Sequence, residues 1–143
     1  MAQQFCTFAL DGHLFGVPVQ TVQEVLRQQE TTPVPLSAPE ISGLLNLRGQ
    51  IVTVVDLRVK LDLPRRSLDS AVNVVVRTAD GVVSLLVDEI GEVLTVPEAA
   101  FEPPPETLRG KTRTMIRGAY KLEGRLLLVL DTDELVGALA PRE

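Results

Sequence analysis

Two stretches of this chain repeat one another, and that repetition limits the folds open to it more than any other feature. Phe15-Gly16-Val17-Pro18-Val19, followed by Val22-Gln23-Glu24-Val25, lies over Val83-Ser84-Leu85-Leu86-Val87, followed by Ile90-Gly91-Glu92-Val93, at a constant offset of 68 positions. Gly43 to Asp56 lies over Gly118 to Asp131 at an offset of 75, with Gly49 falling on Gly124 and Asp on Asp. Repetition at this scale means one supersecondary unit used twice. The 143 residues are about the length of one domain, which buries roughly 68 to 70% of the unfolded chain's surface without metals or disulfides.

The repeated unit reads as β structure. Apolar residues alternate, or run briefly unbroken, between turn residues at short intervals. Residues 5 to 10 and 13 to 19 flank Asp11-Gly12, and residues 72 to 78 and 82 to 88 flank Asp80-Gly81. Such dipeptides supply the positive φ angles of a tight hairpin. Leu44 to Arg48 and Gln50 to Val55 flank Gly49, and Ala119 to Leu122 and Arg125 to Leu130 flank Glu123-Gly124. Four hairpins follow. With about five strands per copy, the expectation is a pair of small closed barrels, which also removes exposed sheet edges.

Helices are expected to be short. Pro18 to Glu24 offers one or two turns, and Asp56 to Leu61 reads as an Asp-capped turn whose counterpart is Asp131 to Val136. Two proline-rich segments, Thr31 to Glu40 and Pro97 to Thr107, read as extended surface crossings, because proline fixes φ and lacks an N–H donor.

The chain offers little for catalysis. Its only histidine, His13, adjoins a turn, and its only cysteine, Cys6, sits in an apolar run. Zinc sites and Cys/His or Ser/His catalysis therefore lack partners. No glycine-rich phosphate loop occurs. Asp131, Asp133 and Glu134 lack the spacing and glycine of a calcium loop. Asp56 and Asp131 could be paired as the carboxylates of a small acidic β enzyme, against which stands their reading as duplicated N-caps. The net charge of -5 repels a phosphate backbone, and aromatic residues at 3% leave no stacking platform, so nucleic acid is not an expected partner. The start has no basic cluster leading into an apolar core, and no apolar stretch reaches membrane-spanning length, so a cytoplasmic chain without membrane insertion is expected.

Gly43-Leu44-Leu45-Asn46-Leu47-Arg48-Gly49-Gln50-Ile51-Val52, continued by Val54-Val55-Asp56-Leu57-Arg58, resembles the signature of the CheW family. Phe15 to Val19, Val22 to Val25 and Pro33-Val34-Pro35 are similar to the upstream part of the same pattern. The resemblance covers nearly the whole chain. It implies an all-β fold with short helices, made of two five-stranded SH3-like β-barrels within one CheW-like domain spanning 1–143. Barrel one is expected mainly from about 14–67 and barrel two mainly from about 81–130, with the N-terminal strand and a short C-terminal helix completing the packing.

The function implied is a non-enzymatic adaptor without cofactors. It would couple the cytoplasmic tips of methyl-accepting chemoreceptors to the regulatory domain of the histidine kinase CheA, at membrane-bound receptor arrays. Such an adaptor would be a monomer in isolation and a ring or array member in complex. The resemblance assigns Arg48 to receptor contact with Glu24 paired to it, Val22, Val25 and Leu26 to an apolar receptor surface, and Val34 and Leu36 to the kinase. A paralogue serving a non-flagellar pathway, for example a pilus, has the same features. Family members commonly carry Pro where this chain has Thr53, and many continue into a longer C-terminal helix.

Overall fold

The computed structural model describes residues 2–27, 29–35, 37–64, 70–79 and 81–137. Ten strands form in chain order: β1 (Ala2–Leu10), β2 (His13–Pro18), β3 (Val22–Leu26), β4 (Ile41–Leu47), β5 (Gln50–Asp56), β6 (Val72–Thr78), β7 (Gly81–Val87), β8 (Glu89–Pro97), β9 (Ile116–Leu122) and β10 (Arg125–Leu130). The short helices α1 (Leu57–Lys60), α2 (Gly110–Thr114) and α3 (Thr132–Gly137) lie outside the sheets. The four expected hairpins are β1–β2, β4–β5, β6–β7 and β9–β10.

The strands make two five-stranded sheets, ordered β8-β1-β2-β10-β9 and β3-β6-β7-β5-β4, an arrangement consistent with two SH3-like barrels. The duplication is visible residue by residue in their registers. Cys6 opposite Val93 has its counterpart in Val74 opposite Val25, and Phe5 opposite Pro18 in Asn73 opposite Leu86. Leu128 opposite Ala119 likewise repeats Thr53 opposite Leu44. Even the bulges recur, between Cys6 and Phe8 in one sheet and between Val22 and Glu24 in the other.

Three strands of each sheet come from the expected stretches, β3 to β5 from 14–67 and β8 to β10 from 81–130, while β2 and β7 cross that division. Each takes its first hairpin from one copy and its other three strands from the other copy. Thus β1 and β2 join β8, β9 and β10, while β6 and β7 join β3, β4 and β5. The physical reason lies at the crossings. After β2 the chain makes one 3-10 turn at Val19–Thr21 and enters β3 in the opposite sheet, and after β7 it passes Asp88 into β8. At both crossings the chain passes into the other sheet instead of turning back beside its own hairpin, and β2 pairs in parallel with β10, and β7 with β5.

A second departure concerns Pro18 to Glu24, where only that single 3-10 turn is helical. Val22, Gln23 and Glu24 belong to β3, because strand pairing with β6 outweighs a weak local helix preference.

Both faces of the central strands are buried. Phe8, Leu10, Phe15 and Val17 from one sheet meet Val55, Val74, Val76 and Leu85 from the other in a shared core, joined by Leu57 and Leu135 of the flanking helices. Full burial of such side chains contributes about 1.5 to 3 kcal/mol each, so this interface dominates cohesion. The opposite faces fill the concave side of each sheet. Phe5, Tyr120, Leu127 and Val129 do so in the first sheet. Leu45, Val54 and Leu86, with Leu47, Val52 and Val75, do so in the second. There the position equivalent to Phe5 is Asn73, whose Oδ1 accepts a 2.8 Å hydrogen bond from the buried Ser84 hydroxyl.

Candidate functional site

The β4–β5 turn follows from its sequence. Arg48 at φ 51° and Gly49 at φ 88° are both left-handed, as a two-residue hairpin loop of the primed type requires. Asn46 makes this turn hold. Its Oδ1 accepts the Gly49 N–H at 2.9 Å, which satisfies a donor the tight loop would leave unpaired. Leu47 anchors the turn from below by packing with Val52 and Val75.

The constrained backbone presents Arg48 to Glu24 on β3. Nη1 donates to Oε2 at 2.6 Å and Nη2 to Oε1 at 2.8 Å, a fork-on-fork contact that fixes the guanidinium plane. β3 and β4 are the two outer strands of their sheet, so this pair spans the gap between its edges. Leu26, packed against Leu45 and against Leu47, spans the same gap on the concave side. The hydrogen bond from Arg48 holds the Glu24 carboxyl below the usual carboxylate range, and Glu24 in turn raises Arg48. The Arg48 side chain nevertheless stays 70% exposed. An exposed pair adds little to stability. Its effect is to hold an open guanidinium in one orientation.

The other sequence-assigned residues separate. Val25 points outward at 40% exposure, beside Glu24 on the edge strand. Val22 is half-buried against the shared core, and Leu26 is half-buried on the concave core, so packing uses most of both. Val34 lies on the proline-rich crossing, half-buried, with its carbonyl accepting from Ser37 Oγ at 2.8 Å. That crossing is tied to β4 by reciprocal backbone bonds between Thr32 and Leu44. Leu36 lies outside the described residues.

Two participants carry no assignment from the sequence. One is Asn46, signalled by an Asn three residues before a turn glycine. The other is Ile51, at 60% exposure on the same hairpin end as Arg48. Nothing in the local alternation separates Ile51 from the buried Val55 on its face, because what differs is the reach of the opposing sheet.

Asp56, Asp131 and Arg58 serve the fold. Asp56 Oδ1 accepts from Arg58 N at 3.1 Å, and Asp131 Oδ1 accepts from Glu134 N at 3.1 Å, so each carboxylate caps its own helix. Arg58 is almost wholly buried. It donates to both Asp88 oxygens, at 2.8 and 2.6 Å, and to the Pro64 carbonyl at 2.6 Å, with Asp11 at 3.5 Å. Among the described residues, no three His, Cys, Asp or Glu side chains converge as a metal site would need, and no helix is long and apolar enough to cross a membrane.

Paired sheets with a polar fork held open across one sheet's edges define a β scaffold that presents this fork on an exposed surface. A model of the CheW-like domain matches residues 4–140, and the chain belongs to the CheW-like family. It is 32% identical over 135 residues to "Chemotaxis protein CheW" of Bacillus subtilis, covering 94% of this chain and 86% of that one. It is 30% identical over 139 residues to the protein of the same name from Klebsiella aerogenes, covering 96% and 84%. Among solved structures it is similar to the scaffolding protein TtCheW from Thermoanaerobacter tengcongensis, with a TM-score of 0.87 at 26% identity, covering 94% of this chain and 92% of that chain.

Proposed function

We propose that this protein is a non-catalytic chemotaxis adaptor that couples the cytoplasmic tip of methyl-accepting chemoreceptors to the regulatory domain of the histidine kinase CheA. The observation that carries the reading is the exposed Arg48 fork, pre-oriented by Glu24 on a chain matched to the CheW-like domain over 4–140. A guanidinium already held in plane loses less side-chain freedom when a partner carboxylate or amide arrives. Val25 and Ile51 supply exposed apolar area beside it, and the half-buried Val22 and Leu26 keep that edge in place. Receptor tips dock on this edge. The proline-rich crossing with Val34 and Leu36 meets the kinase regulatory domain. Each contact is weak alone and gains strength from many copies held side by side in an array at the cytoplasmic face of the membrane.

The test is co-sedimentation of the protein with receptor-tip fragments and, separately, with the kinase regulatory domain. Arg48→Glu is expected to weaken receptor capture at least about tenfold, equivalent to about 1.4 kcal/mol, while the melting temperature and kinase capture stay as in wild type. If the unmodified protein captures neither partner, the adaptor reading fails.

A further inference from the structure

The charge of this chain is unevenly distributed. Residues 105 to 126 carry six cations, Arg109, Lys111, Arg113, Arg117, Lys121 and Arg125, against two carboxylates, Glu106 and Glu123, in a protein whose net charge is -5. All six cations are exposed. Arg117 and Lys121 lie 3.7 and 3.8 Å from Asp131 and Glu102. The guanidinium of Arg113 donates instead to the carbonyl of Pro105 at 2.7 Å, and that of Arg109 to the carbonyl of Glu106 at 3.2 Å. Backbone carbonyls fix these side chains without neutralising them. Neither arginine has a carboxylate within ion-pair distance among the described residues.

The segment that holds those two arginines is also the wall of a groove. A cavity of about 400 Å³ is lined by Pro105, Thr107 and Leu108 of this segment and by Leu14, Leu126 and Leu128 of β2 and β10, with His13 and Arg125 also at its surface. Leu126 remains 38% exposed. The lining is mainly apolar, and three guanidinium groups border it or brace its wall. A polyanion such as nucleic acid would meet the cations and gain nothing from the leucines. An apolar helix without acidic residues would leave the cations unanswered.

We infer that this groove and its arginine rim are a docking surface for an acidic amphipathic segment of a protein partner, with apolar side chains in the groove and carboxylates on Arg109, Arg113 and Arg125. The surface lies on the first sheet and its neighbouring crossing, so it goes beyond the Arg48 edge assigned above. Charge complementarity and apolar contact are both required of the occupant.

The test uses the full chain and a fluorescein-labelled helical peptide of about 18 residues, with Leu at one helix face and Glu elsewhere. Fluorescence anisotropy should show binding that weakens as salt is raised. Arg109→Glu combined with Arg113→Glu should weaken it at least about tenfold, and Leu126→Asp by a comparable factor, with Arg48→Glu leaving it unchanged. Circular dichroism melts confirm that each exposed substitution preserves the fold. The inference is overturned by absent binding, by equal binding of the same peptide with Lys in place of Glu, or by insensitivity to the groove substitution. It is also overturned if phosphatidylglycerol vesicles or a DNA duplex bind as tightly as the peptide and lose binding only in the arginine variant.

Discussion

The β4–β5 and β9–β10 hairpins are the same structural unit used twice, yet only one of them makes a fork. Asn46-Leu47-Arg48-Gly49 falls on Lys121-Leu122-Glu123-Gly124, and Glu24 on Glu92. The apolar anchor and the left-handed glycine persist, with Gly124 at φ 80°. The Asn that closes the turn and the Arg that uses it do not. At this hairpin the scaffold shared by the copies is therefore the part that folds, and the part that differs is turned toward solvent. Positions 58 and 133 differ in the other sense, with Arg58 buried and Asp133 exposed. Arg58 grips Asp88, which accepts the N–H of Asp11 at the tip of the first hairpin at 2.9 Å. Its counterpart Asp133 accepts the N–H of Ala79, at the matching tip, directly at 2.9 Å.

The comparison breaks most sharply at Asp88. Asp88→Ala strands a buried guanidinium, and removing one partner of a buried pair costs about 3 to 5 kcal/mol. Asp133→Ala, at an exposed position, should cost far less. Urea denaturation of the two variants measures the difference, and equal losses would mean that the Arg58 network adds nothing beyond a turn contact.

Gly43 and Gly118 are predicted to behave alike, with smaller losses. A Cβ at either position meets the crossing that bridges to its strand. It would lie 2.5 Å from the Thr32 carbonyl oxygen at Gly43. At Gly118 it would lie 2.5 Å from the Glu102 carbonyl oxygen and against the Phe101 ring. Overpacking of this kind costs about 1 to 3 kcal/mol, and Gly43→Ala should fall at the upper end because φ there is +153°. Denaturation midpoints that stay at the wild-type value would show that the crossings shift freely.

The smallest effect is a pH dependence confined to the fork. Glu24 has its carboxyl lowered by the Arg48 hydrogen bond. The pair's contribution is therefore complete above the ordinary glutamate range and is lost only as pH falls through the depressed value. Carboxyl-carbon NMR of Glu24 should show a midpoint below that of the Arg48→Met variant. Coincident midpoints would dissolve the pairing.

Much of this was legible in the sequence because hairpins are local. Asp11-Gly12 and Gly49 announce turns within one or two residues, and the offsets of 68 and 75 announce the duplication. Hairpin exchange was not legible, since the parallel pairing of β2 with β10, as at Leu14 and Leu127, has no short-range signal. α2 was missed because five residues, Gly-Lys-Thr-Arg-Thr, are too few to show a period. At the site, the Arg48–Glu24 pairing came from resemblance and the cap role of Asn46 from neither source, although its spacing to Gly49 encodes it.

Hairpin exchange has a consequence for how such a chain could arise. A lone copy of the repeat would own three strands of one sheet and a hairpin fitted to another molecule's, so its smallest satisfied form is a strand-swapped homodimer. Joining the copies end to end turns that two-body encounter into an intramolecular closure, and leaves each face free to diverge while its mate preserves the frame.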